Sequence, residues 1–163
     1  MSKVDQAYFL NQINENSGII HKICRIYSNS LLESEELKQE IIFQLWKSYP
    51  SYENKAKFST WMYKISFNTA IAGIRRNWRE IKPENFDENL IMDDYQNLDY
   101  DERIKDLYRA ISQLSKIDKA IIMLYLEENS YNEISEIMGI SEKNVSVRIV
   151  RIKDKLIKIV REP

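Results

Sequence analysis

The chain has 163 residues, enough for one ordinary domain or two small ones. With only three glycines and three prolines it is too poor in turn residues for a many-cornered sandwich or barrel, so long helices are expected. Charged residues make up 30% and hydrophobic residues 44%, a folded and soluble balance, and the net charge of −1 does not by itself point to nucleic acid.

In chain order, residues 4 to about 32 read as one or two helices with a weak break at Asn16, Ser17 and Gly18. Ser34 is the expected N-cap of the next helix. There Leu37, Ile41, Ile42, Leu45, Trp46 and Tyr49 recur at helical spacing up to Pro50. A loop from Ser51 to Lys57 follows, and Ser59 is expected to cap a helix running to about Arg79. Residues 81–101, with a proline, many acids and little periodicity, read as a flexible linker. Helices are then expected from Glu102 to Leu114, Lys116 to Leu126, Tyr131 to Met138 and Glu142 to about Val160. The expected fold is all-α. Two small helical domains, residues 1–80 and 102–163, flank the acidic linker.

The composition excludes several chemistries. Cys24 and His21 are each the only one of their kind, which rules out a Cys/His zinc site and an internal disulfide. The glycines are too widely spaced for a phosphate-cradling loop. His21 sits among Ile19, Ile20 and Ile23 and reads as a packing residue. The longest apolar run, Ala120 to Leu126, is far short of a membrane span. The opening MSKVDQAYF lacks the basic head and apolar stretch of a secretory signal. No cofactor, metal or membrane insertion is expected.

Charge is segregated along the chain. From Lys55 to Arg79 there are six basic residues and no acid; from Glu80 to Glu102, nine acids and one base; from Glu142 to Arg161, seven bases and two acids. Two basic modules joined by an acidic strip suit a protein that touches a polyanion at two places. A solubilising linker between two helical lumps gives the same pattern.

The helix after Ser59 carries one polar stripe. At 100° per residue, Lys64, Asn68, Arg75 and Arg79 fall within about 60° of one another, and apolar residues fill most of the remaining wheel. Asn68 has both donor and acceptor for a base edge. The preceding loop supplies Tyr52, Lys55, Lys57 and Phe58, aromatics interleaved with lysines as in platforms for single strands. Phe58, Trp61 and Phe67 equally suit a hydrophobic core, and a cationic ridge also suits an acidic protein partner.

Residues Tyr131 to Lys155 read as a helix-turn-helix. Ile134, Ile137 and Met138 face inward, Gly139 makes the turn, Ile140 plugs the core and Ser141 caps the second helix. Val145, Ile149, Ile152, Leu156 and Ile159 form its buried seam. Val147 and Val150 lie opposite, where they would meet thymine methyls, while Lys143, Arg148 and Arg151 take phosphates or guanine. The alternative is that the valines pack on another helix.

Together these residues resemble a family. Glu36 to Glu40 through Leu45-Trp46 resembles the core-binding helix of bacterial sigma-70-family initiation factors, and FSTWMYKI from Phe58, with Asn68 and Arg75-Arg76, resembles their promoter-melting helix. Leu107 to Ile159 resembles their C-terminal DNA-binding domain. Short length and the missing central domain point to the extracytoplasmic function (ECF) subfamily. The resemblance implies a cytoplasmic, non-enzymatic protein bound to the clamp coiled coil and flap of RNA polymerase core and to promoter DNA. Many relatives also have an anti-sigma partner. It implies that Leu37, Gln39, Glu40 and Trp46 bind or support the polymerase. Tyr52, Lys55, Lys57, Phe58, Trp61, Lys64, Asn68 and Arg75 would take the melted minus-ten strand. Lys143, Asn144, Ser146, Val147, Arg148, Val150 and Arg151 would take the minus-thirty-five duplex. The acidic linker would thread toward the RNA exit path. Three positions depart from the pattern: Glu36 replaces the commoner Asp, Ala72 and Gly73 replace polar residues, and Ser146 replaces a basic one. Gly73 should weaken its helix by about 0.5–1 kcal/mol.

Two rivals differ in kind. A stand-alone helix-turn-helix regulator would use the N-terminal half for sensing or dimerisation and bind duplex DNA without polymerase. A helical-bundle enzyme would have only scattered carboxylates and no paired Glu-x-x-His set.

Overall fold

The computed structural model describes residues 3–77 and 102–162, with side chains from Asp5 to Gly73 in the first stretch. The acidic segment 81–101, Arg79 and the side chain of Arg75 lie outside the described residues. The described chain is all helix, turn and loop, and it divides into two compact units, Met1–Leu90 and Ile91–Pro163.

The first unit contains α1 (Lys3–Glu15), α2 (Ser17–Tyr27), α3 (Leu31–Ser48) and α4 (Phe58–Asn77). The break between α1 and α2 has a local cause. Asn16 donates both its backbone N–H and its side-chain amide to the Gln12 carbonyl, the latter at 2.8 Å, and so diverts the end of α1. In α2, Ile20, Ile23, Cys24 and Tyr27 are buried at the spacing of one helical face. That helix ends at Tyr27, short of residue 32, and α3 starts earlier than expected. Its cap is Ser30, whose hydroxyl accepts from Glu33 N–H at 3.2 Å, while the Glu33 carboxylate accepts from Asn29 N–H at 2.8 Å. Ser34, the expected cap, sits in the first turn with its N–H already given to Ser30.

Helix α3 ends at Ser48 and continues as a 3₁₀ turn, Tyr49–Ser51, around Pro50. The start of α4 is Phe58 rather than Ser59: the Lys57 carbonyl already accepts from Trp61 N–H at 3.1 Å. Ile41 and Leu45 of α3, Met62, Ser66, Phe67 and Ala70 of α4, and Phe9 and Ile13 of α1 are all buried and make up the core of this unit.

The second unit contains α5 (Glu102–Ser112), α6 (Lys116–Leu126), α7 (Tyr131–Met138) and α8 (Glu142–Arg161). Its core is aliphatic: Ala110, Ile111, Ala120 to Leu124, Ile134, Ile137, Val145, Ile149, Ile152 and Leu156. Three serines start its helices. Ser115 accepts from Asp118 N–H, Ser130 forms a reciprocal capping box with Glu133, and Ser141 accepts from Asn144 N–H. Gly139 has φ +68°, and a Cβ there would meet no atom within 4 Å, so its cost would be backbone strain alone. Its N–H and that of Ile140 both return to the Ser135 carbonyl, which closes α7. Met138, Ile140 and Ile159 are half-buried rather than core residues.

Candidate nucleic-acid interfaces

In the first unit, aromatic packing builds the loop before α4. Phe9 touches Trp46 and Tyr49 (ring centroids 5.2 and 5.0 Å apart), and Tyr52 touches Trp61 and Phe58 (5.0 and 5.7 Å). The Tyr52 hydroxyl donates to the Ala56 carbonyl at 2.6 Å and so folds residues 52–57 back on themselves. Asn54 at φ +55° makes the turn, a conformation asparagine tolerates. Burial, then neighbouring Tyr8, raises the Tyr49 and Tyr52 hydroxyls above the ordinary tyrosine range.

The loop is a narrower platform than its sequence suggests. Phe58 is only 9% exposed and lies between Tyr52 and Trp61, so it supports the loop from beneath instead of offering a free face. Tyr52 and Trp61 are half-buried. Lys55 is exposed and pairs with Glu53; Lys57 is exposed. On α4, Lys64 and Asn68 stand exposed along one edge.

Beside Asn68, the seam between α3 and α4 opens into a groove of about 340 Å³. Glu40, Gln44 and Ser48 form its α3 wall, and Asn68, Thr69 and Gly73 contribute from α4. The structure therefore divides the residues expected to bind polymerase. Gln39 and Trp46 are exposed, Leu37 is half-buried, and Glu40 borders the groove. Two further residues join Gln39 and Trp46 on the outward face of α3: Leu32, 71% exposed, and Phe43, 55% exposed. These four lie within about 60° on the helical wheel. Their steps of seven, four and three residues were legible in the sequence, but the inward periodicity of Ile41 and Leu45 masked them.

In the second unit, α8 presents Lys143, Asn144, Val147, Val150 and Arg151 to solvent, with Ser146 half-buried. Both valines are exposed, Val147 to 40% and Val150 to 57%. Arg148 differs from its sequence reading. It lies only about 60° from the Val145 seam. There its guanidinium donates to Asp118 at 2.8 Å, tying α8 to α6. Lys153 donates to the Tyr125 hydroxyl at 2.7 Å, and that bond raises its pKa. Asn132 reaches Glu142 at 2.9 Å and braces α7 against α8.

Among the described residues, no cluster of three or more His, Cys, Asp or Glu could hold a metal ion. No described helix is long and apolar enough to cross a membrane. Cys24 is buried, and burial pushes its thiol up to about 12.

Comparison with known proteins follows the same division. Residues 13–80 match the model of sigma-70 region 2, and residues 104–156 match that of sigma-70, region 4. The ECF RNA polymerase sigma factor SigW of Bacillus subtilis is 27% identical, over 99% of this chain and 94% of that protein. The ECF RNA polymerase sigma-E factor of Escherichia coli K12 is 26% identical, over 83% of this chain and 79% of its own length. Among solved structures, the sigma factor RpoE of Bartonella quintana, crystallised with the anti-sigma factor NepR, superimposes with a TM-score of 0.72. That match covers 94% of this chain and 97% of the other at 18% identity, a likeness of fold. The two family matches together span about three quarters of the sequence, one on each helical unit. The chain belongs to the sigma-70 family of RNA polymerase sigma factors, in the ECF subfamily.

Proposed function

We propose that this sigma factor directs core RNA polymerase to its promoters by reading two elements in two physical states, the minus-ten element as an opened strand and the minus-thirty-five element as a duplex. The observation that carries the reading is a contrast of surfaces. The first unit offers a loop of partly buried rings beside an exposed amide and lysine, which suits unstacked bases. The second offers a capped helix with two exposed valines flanked by Lys143, Asn144 and Arg151, which suits a major groove.

At the minus-ten element, the Tyr52–Lys57 loop captures a flipped base and Asn68 contacts its polar edge. Extrusion costs a few kcal/mol, which a preformed pocket offsets. Lys55, Lys57 and Lys64 face phosphates. At the minus-thirty-five element, Val147 and Val150 meet thymine methyls while Asn144 and Arg151 reach base edges. Arg148 holds α8 in place. The outward face of α3, with Leu32, Gln39, Phe43 and Trp46, docks on the clamp coiled coil of the polymerase. Its seven-four-three spacing matches a seam meeting a coiled-coil helix. The second unit meets the flap, and the complex works in the cytoplasm.

Reconstituted transcription with core enzyme on genomic fragments, with start sites mapped, tests the reading. Start sites that depend on this protein and share upstream elements are expected; failure to join core enzyme would overturn it. Asn68→Ala should reduce open-complex formation more than polymerase binding. Equal losses in both would remove its base-capture role.

A further inference from the structure

We infer that Phe9 is a positioning residue shared by both binding surfaces of the first unit: its ring orients Trp46 on the outward face of α3 and, through Tyr49, the Tyr52–Lys57 loop. This rests on the proposed reading of those two surfaces and adds the residue of α1 that holds them in register.

Helix α1 has no clear apolar face. Tyr8, Phe9, Leu10 and Ile13 span about 200° of its wheel. Tyr8 and Leu10 are exposed, to 52% and 56%, whereas Phe9 is 1% exposed. Ile13 is the other buried side chain described on this helix. The helix is thus seated on the unit mainly through one ring and one aliphatic group.

The contacts of that ring are specific. Trp46 and Tyr49 stand three residues apart where α3 runs on into the 3₁₀ turn, so both project to one side. Phe9 meets Trp46 edge to face, with centroids 5.2 Å apart and planes at 69°, and meets Tyr49 at 5.0 Å and 58°. At such separations the ring quadrupoles favour particular angles, beyond the filling of space. From Tyr49 the contacts continue to Tyr52 at 6.4 Å and to Trp61 at 6.3 Å. The Tyr52 hydroxyl then folds the loop back through Ala56. One ring therefore bears on two residues with separate proposed tasks. Trp46 is 37% exposed, so part of its ring remains open to a partner while the covered part rests on Phe9.

The competing account is that Phe9 only fills the core. An aliphatic side chain of similar size would fill the same space but would carry no quadrupole to set the angle of either neighbour. Ile13 supplies the contrast, because it anchors the same helix without a ring.

The test uses full-length protein and core polymerase. Phe9→Leu keeps much of the buried volume, and Phe9→Met takes its place if the leucine variant folds poorly. Ile13→Val and Ile13→Ala loosen α1 without removing a ring and give melting temperatures to match. Trp46→Ala and Tyr52→Ala mark the two surfaces: the first should weaken assembly with core enzyme and the second should slow promoter opening. Phe9→Leu should do both, with assembly weaker by about threefold to tenfold and opening by saturated holoenzyme slower by about the same factor. In a background where Trp46 is the single tryptophan (Trp61→Phe, Trp78→Phe), acrylamide should quench its fluorescence more strongly after Phe9→Leu but not after Ile13→Val. If an Ile13 variant of equal melting temperature shows the same losses and the same quenching, Phe9 merely fills space and positions nothing. If Phe9→Leu weakens assembly while saturated holoenzyme opens promoters at the wild-type rate, the link through Tyr49 is wrong. If Trp46→Ala and Tyr52→Ala leave both steps unchanged, the proposed surfaces themselves fail.

Discussion

The two units build their proposed binding surfaces by different physical means. In the second, local rules do most of the work: three serine caps, a left-handed glycine and an aliphatic core fix α8 before any partner arrives. In the first, rings from α1, α3, the loop and α4 interlock across long stretches of sequence, and the loop takes its shape from that packing. A duplex presents a regular groove, and a preset helix can read it. An extruded base needs a shaped pocket, which only several elements acting together can build.

The largest effects should separate the two cores. Phe67→Ala should cost about 3–5 kcal/mol and Ile149→Ala about 2–5 kcal/mol. The three tryptophans, Trp46, Trp61 and Trp78, all precede residue 80, so their fluorescence reports the first unit while circular dichroism reports both. Phe67→Ala should shift the fluorescence midpoint. Ile149→Ala should shift only the dichroism, and coincident shifts would mean that the units melt as one.

Next comes the surface of α8 proposed to read the duplex. Arg151→Ala should cost about 1–3 kcal/mol in promoter affinity and relax preference at one base pair. A uniform loss with a shallower salt slope would make Arg151 a phosphate contact and would narrow the base-reading face to Asn144 and the valines.

Alkaline stability sharpens the contrast in the first core. Cys24 is held neutral to about 12 in the folded state, while an ordinary thiol ionises near 9.0. Its contribution is fully present below pH 9 and is lost as pH rises toward 12, because only the unfolded chain releases the proton. The thiol should add a slope of about 1.4 kcal/mol per pH unit over that window. Comparing unfolding free energies of wild type and Cys24→Ala from pH 8 to 10.5 checks it, and parallel profiles would refute it.

The smallest effect concerns Arg148. The ion pair with Asp118 is partly exposed, 40% and 22%, so Arg148→Ala should cost no more than about 1 kcal/mol of stability. Promoter preference should stay unchanged. A changed base preference would return Arg148 to the reading face.

Much of this was legible in the residues. Helices α6, α7 and α8 start where periodicity places them, because each of these three starts carries a serine and the turn carries a glycine whose φ needs no tertiary support. The α3 start was misplaced because Ser30 and Ser34 are both plausible caps; Glu33, reaching back to Asn29, decides between them. Phe58 and Arg148 read as ligand-facing because their side-chain types suit nucleic acid, yet packing claims the first and Asp118 the second. The spacing of Leu32, Gln39, Phe43 and Trp46 is present in the sequence, but packing decides that Leu32 and Phe43 stay exposed.

The sequence alone settles the all-helical class, the two basic modules and the helix-turn-helix, since these depend on spacing, capping and composition within short windows. Tertiary structure alone decides which rings are covered, which arginine is engaged, and that Glu40 and Gln44 share a groove with Asn68. Those outcomes depend on how α3 lies against α4 and α8 against α6, contacts between residues far apart in the chain that no local pattern encodes.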